Sequence, residues 1–76
     1  MNATLNEIPV GNTVKIIDFQ GGIQFKLRLS KMGLSKGMMV KVKRNAIFSG
    51  PVVVETMGRE IALGRGVAER IIVEKS

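Results

Sequence analysis

The sequence predicts a small, mainly β protein, a barrel of five short strands with one brief helix. Three observations carry that expectation. Alternating apolar and polar residues run through Thr13 to Phe19 and Met39 to Arg44, the period of a half-buried strand. A two-glycine elbow, Met32-Gly33-Leu34-Ser35-Lys36-Gly37-Met38-Met39-Val40, separates an apolar stretch from the second of those strands. Further on come Ser49-Gly50-Pro51-Val52-Val53-Val54, Ile61-Ala62-Leu63, Ala68 and Ile71 to Val73. Closing such short strands into a barrel removes exposed sheet edges. The 76 residues make one domain, 1–76, of a size that buries a little over about 60% of the surface its unfolded chain exposes. With no cysteine and no histidine, neither a disulfide nor a thiolate or imidazole metal site staples the fold. Packing alone must hold it.

Taken in order, Met1 to Ala3 is expected to fray, and Thr4 to Pro9 leads in to a turn at Val10-Gly11-Asn12. Thr13 to Phe19 forms the first strand, with Val14 and Ile16 on one side and Lys15 and Ile17 on the other. Gln20-Gly21-Gly22 ends it. Residues 23–29 (Ile-Gln-Phe-Lys-Leu-Arg-Leu) alternate without a fault, which is a strand pattern, yet Phe25, Leu29 and Met32 also fit one face of a helix. Gly33 then supplies a helix stop, with Leu34 placed to fold back on the last turn. The pattern alone supports both readings. Beyond the elbow, Met39 to Arg44 alternates Val40 and Val42 with Lys41 and Lys43. Pro51 to Met57 follows as a valine-rich strand, entered through residues 45–50, with Pro51 where its missing N–H is tolerated. Gly58-Arg59 turns the chain into Glu60 to Leu63 as a tight hairpin. Val67 to Arg70 makes one helical turn, and Ile71 to Glu74 is the last strand. Gly33, Gly37 and Gly50 serve backbone geometry, while Val40, Val42, Val54, Ile61, Leu63 and Ile71 fill the barrel.

Composition excludes several functions. The net charge is +6, from twelve Lys and Arg against six Asp and Glu, which invites a nucleic-acid or anionic partner. Lysines at alternating strand positions, however, are the ordinary solvated face of a sheet. Single-strand binders also need stacking platforms, and this chain has no Trp or Tyr and only Phe19, Phe25 and Phe48. A small nucleic-acid-binding barrel is therefore the second reading. For catalysis, the usual general base and thiol nucleophile are both missing. The six carboxylates pair nowhere along one element, and only Glu55 and Glu60 can face each other, across the Gly58 turn. Gly64-Arg65-Gly66 lacks the lysine of a phosphate loop. No enzyme, cofactor or metal site is expected, and Met32, Met38 and Met39 read as adaptable packing rather than as ligands. Residues 1–14 hold no signal-peptide pattern, and no apolar run approaches the roughly 18 residues that cross a bilayer.

The residues Leu29, Met32-Gly33-Leu34, Gly37, Val40, Val42, Gly50-Pro51, Ile61-Ala62-Leu63, Ala68, Ile71 and Val73 resemble the FeoA family over nearly the whole chain. These are small cytoplasmic proteins that accompany the bacterial ferrous-iron transporter FeoB. The resemblance implies an SH3-like barrel with a helix inserted after the first strand, so that residues 23–32 are helical despite their alternation. The same module ends DtxR-type iron-dependent repressors, whose DNA-binding half this chain has no length for. The resemblance further implies a non-enzymatic adaptor for the GTPase-bearing cytosolic part of a FeoB-type transporter, with self-association open. Such an adaptor is cytoplasmic and reaches the inner face of the membrane through its partner, without inserting. The family also implies transition-metal binding, for which this chain carries a poor ligand set. Expected contact residues are the exposed apolar or basic ones near the elbow and first hairpin, Met32, Leu34, Met38, Lys41, Lys43 and Arg44, together with Arg59 at the second turn.

Overall fold

The computed structural model describes residues 1–46 and 50–75. Its strands are β1 (Asn2–Thr4), β2 (Thr13–Phe19), β3 (Met39–Asn45), β4 (Val52–Thr56), β5 (Arg59–Leu63) and β6 (Ile71–Glu74). Helix α1 (Ile23–Lys31) joins β2 to β3, α2 (Arg65–Ala68) joins β5 to β6, and Leu5–Glu7 forms a 3-10 turn. All pairings are antiparallel, in the order β1-β6-β2-β3-β4-β5. The architecture is the expected SH3-like one, with two differences.

The first concerns residues 1–3, which do not fray. Asn2, Ala3 and Thr4 pair with Glu74, Val73 and Ile72, and the Lys75 N–H donates to the Met1 carbonyl at 2.9 Å. A three-residue strand is too short to show a period, so this sixth strand leaves no pattern to read. The second concerns closure. β1 and β5 are the two edges of the sheet and do not pair with each other, so the barrel is curled but open. Among the expected elements, the lead-in through Ile47, Phe48 and Ser49 lies outside the described residues.

Two β-bulges produce the curl and set which side chains face inward. In β2 the register against β6 shifts between Ile16 and Asp18, so Phe19 rejoins Val14 and Ile16 on the core side. In β3 the register against β4 shifts between Val42 and Arg44. Val40 and Val42 are buried as expected. After the bulge Asn45 pairs with buried Val52 and occupies the inward phase that Arg44 would otherwise take. The remaining core comes from Val54 of β4, Leu63 of β5, and Ile71 and Val73 of β6, while Ile61 sits half-buried at its margin. Leu5 and Ile8 fill the end of the core beside Asn45, Leu29 and Leu34 fill the end beside the elbow, and Ala68 packs in from α2. Thr56 is the buried polar residue of this core, and its hydroxyl donates to the Met39 carbonyl at 3.0 Å.

The open side of the sheet is bridged by Asn45. Its amide nitrogen donates to the backbone carbonyls of Asn6 (2.9 Å) and Ile8 (3.0 Å), and its oxygen accepts from Arg65 Nη2 (2.8 Å). One side chain thus joins β3, the chain that continues from β1, and the helix that continues from β5. Glu7 steadies the same stretch by accepting from the Thr4 N–H (3.2 Å) and hydroxyl (2.6 Å), bonds that hold its pKa below the ordinary carboxylate value.

The bridge and the hairpin each make a prediction for stability. Asn45→Ala leaves two carbonyls and a guanidinium without their partner and should cost about 2 kcal/mol, read as a fall of roughly 10 °C in thermal midpoint. The β4–β5 hairpin turns at Met57 (φ +51°) and Gly58 (φ +77°), both in the left-handed region that a type I′ turn demands. Met57 is 84% exposed and gains nothing there by packing. Replacing it by Asn, which tolerates that conformation better, should raise stability by about 0.5 kcal/mol in denaturant titrations.

Candidate partner-binding surface

The elbow is built from the end of α1 backwards. Met32 caps the helix, the Gly33 N–H donates to the Ser30 carbonyl (3.0 Å), and the Leu34 N–H reaches back to Leu29 (3.0 Å). This is the Schellman arrangement, in which the residue after the cap takes a left-handed conformation and the next apolar residue folds onto the last turn. Gly33 has φ +89°, and Leu34 is 1% exposed against fully buried Leu29. Ser35 to Met38 then turns with Gly37 third at φ +90°, the position where a type II turn requires it. The Gly37 N–H donates to the Ile16 carbonyl (2.7 Å), and the Ile16 N–H donates to the Met38 carbonyl (2.8 Å), which straps the elbow to β2.

Charge gathers around this end. The Arg59 side chain lies directly over Gly33, where a Cβ would collide with its Nη2 and stand 3.3 Å from Cζ. A cation there also complements the negative end of the α1 dipole. Lys36 Nζ pairs with Asp18 Oδ1 at 3.3 Å, with both side chains more than half exposed. Asp18 is held below its ordinary pKa chiefly by the hydrogen bond it accepts from the Phe19 N–H (2.8 Å), with Lys36 adding to the effect.

Of the seven expected contact residues, the fold gathers three at the elbow. Met32 and Met38 are half-buried against the core, and Arg59 covers the glycine between them. Met38 Sδ accepts the Ser35 N–H at 3.2 Å, so this thioether shapes the turn. Leu34 does not belong with them. The Schellman motif that places it also seals it in the core, so it is not a contact residue. Lys41 is exposed on the outer face of β3, between Thr13 and Glu55. Lys43 and Arg44 sit at the bulge, about 17 and 20 Å along the chain from Met38 at the strand rise of about 3.3 Å per residue. Lys43 is half-buried because the bulge takes it out of the alternation. With Leu34 in the core, Met32, Met38 and Arg59 gather at the elbow, Lys43 and Arg44 at the other end of β3, and Lys41 on the strand between them.

Glu55 and Glu60 do stand opposite each other in the β4–β5 ladder, and among the described residues no third acidic side chain joins them as a ligand set. A ferrous ion prefers imidazole, thiolate or clustered carboxylates, so these residues do not fit a metal centre. Among the described residues the aromatic rings offer no stacking surface: Phe19 is buried, and Phe25 is half-buried with the Arg70 guanidinium 5.4 Å from its ring centroid. No helix among the described residues is long and apolar enough to cross a membrane. Sequence reasoning passed over exposed apolar side chains, among them Ile23, Leu27 and Met57. For the first two the signal was present, since the unbroken alternation of residues 23–29 supplies more apolar groups than one helix face can bury.

Comparison with known proteins places this geometry. The FeoA domain family model matches residues 3–75. An Fe(2+) transport protein A of Methanocaldococcus jannaschii is 41% identical over 64 residues, 84% of this chain and 76% of that protein. Among solved structures, an iron uptake regulatory protein (FeoA) superposes with a TM-score of 0.89 at 29% identity, covering 100% of this chain and 99% of the other. A manganese-dependent transcriptional repressor superposes with a TM-score of 0.88 at 20% identity, covering 99% of this chain and 42% of the repressor, a likeness of fold.

Because Gly33 answers both to backbone conformation and to Arg59, the two demands are separable. Gly33→Ala should destabilise by about 1 kcal/mol or more from the left-handed conformation alone. Adding Arg59→Ala should recover only the part due to the clash, so a double variant as stable as wild type would show that the conformational demand is absent.

Proposed function

Because this chain belongs to the FeoA domain family, which acts in ferrous-iron transport, we propose that it is a non-enzymatic accessory protein that docks on the cytosolic GTPase-bearing part of a FeoB-type transporter. The observation that carries the reading is the elbow, where Met32, Met38 and Arg59 make one adaptable, cationic surface on an otherwise rigid turn. Methionine side chains repack against varied partners, and arginine is favoured at protein interfaces. The chain handles iron through this partner, and its described residues supply no ligand set.

A docking module changes a transporter only through different affinities for its conformational states. The GTPase offers two, set by its nucleotide. Binding energy spent unequally between them shifts the population of the transporter, while equal binding only assembles the complex. A basic surface of this kind also speeds encounter with an acidic partner.

The test is capture of the transporter's soluble domain by this protein, with GDP and with a GTP analogue. Binding should differ between the two states, and Arg59→Glu should weaken it about tenfold. Arg44→Glu, at the far end of β3, should leave it within about threefold, as peripheral charges usually do. No binding in either nucleotide state would overturn the reading.

A further inference from the structure

Helix α1 is apolar where its packing calls for polar residues. At 3.6 residues per turn, Phe25, Leu29 and Met32 share the side that meets the core. The opposite side should be solvated, yet its midline carries Ile23, 72% exposed, and Leu27, 49% exposed, one turn apart. Lys31 continues the same line, Lys26 flanks it on one side and Arg28 on the other, and α1 contains no acidic residue. Single exposed apolar residues need no explanation, but a pair aligned along the centre of a helix face whose charged residues are all cationic is a surface with a use.

We propose that the outer face of α1 is a docking face for an acidic protein surface, with Ile23 and Leu27 entering an apolar socket and Lys26, Arg28 and Lys31 meeting carboxylates on its rim. The proposal rests on the transporter reading and extends the elbow surface along the helix that ends in it. Charge selects the occupant. A second copy docked about a two-fold axis would set this face against itself and bring the three cations together, which is repulsive. Asp18, the carboxylate that feels Lys26, is already held by Lys36 at 3.3 Å and does not neutralise the face. A bilayer is a poorer fit: the two side chains offer about eight carbons, and a whole myristoyl chain by itself gives only marginal anchoring. A protein socket desolvates both side chains fully and aligns carboxylates with the cations.

The test uses the full chain against the transporter's soluble domain, with two double variants, Ile23→Ser/Leu27→Gln and Lys26→Glu/Lys31→Glu. Each should weaken binding about tenfold or more with the thermal midpoint within about 3 °C of wild type, since all four side chains are exposed. The charge variant should also flatten the salt dependence of association. If wild type binds the domain and both variants bind equally well, the face is not the interface, while the transporter reading stands. If wild type fails to bind the domain in either nucleotide state, both readings fall. Sedimentation of wild type with vesicles rich in anionic phospholipid, lost in both variants, would make the occupant a membrane and overturn the proposal.

Discussion

A sheet that curls without closing leaves a seam, and a chain with no disulfide and no metal has to seal it by non-covalent contact alone. Here the seam between β5 and β1 is spanned by one amide. Asn45 reaches the carbonyls of Asn6 and Ile8 with its nitrogen and Arg65 with its oxygen, so three segments distant in sequence are fixed to one side chain. Leu5 and Ile8 are held over the core by the same contacts, and α2 is positioned so that Ala68 can pack. An aliphatic residue at position 45 would bury more carbon but would leave those part-buried carbonyls without a protein partner. The polar bridge and the apolar core are therefore mutually dependent.

That bridge exists only because of the bulge after Val42. With strict alternation Arg44 would face inward and Asn45 outward. A guanidinium in that position would stand beside Arg65 at the apolar end of the core. The bulge exchanges the two, and it accounts for the half-burial of Lys43. The elbow at the other end of β3 works by the same economy of local geometry, since two left-handed glycines turn the chain from helix to strand while leaving Met32 and Met38 at the surface of the turn.

Much of this was legible beforehand, and the rest was hidden for identifiable reasons. Val40, Val42, Val54, Leu63 and Ile71 announced themselves by alternation, and Gly33 and Gly37 by position. Residues 23–29 did not settle themselves, because a helix that exposes Ile23 and Leu27 while burying Phe25 and Leu29 writes the same string as a strand; the family resemblance decided for a helix. β1 was invisible because three residues carry no period. The open seam was invisible because Asn45 and Arg65 lie 20 residues apart and neither looks structural alone. In the surface, Leu34 misled: the motif that marked it as significant is the motif that buries it. Charge was legible as a total but not as a distribution, and only the fold shows Lys43 and Arg44 far from Arg59.

The bulge in β3 has a consequence for how this protein can vary. The curvature of the sheet at this point is stored in one extra residue, since any side chain able to stand half-buried at position 43 leaves it intact. Removing residue 43 would instead straighten the strand, because Arg44 would still stand opposite Val53 and Asn45 opposite Val52 with no extra residue between them and Val42. Spacing sets the bend of this stretch and identity sets its inner face, so the outward residues of β3 are free to vary while Val40, Val42 and Asn45 answer to the core and the seam.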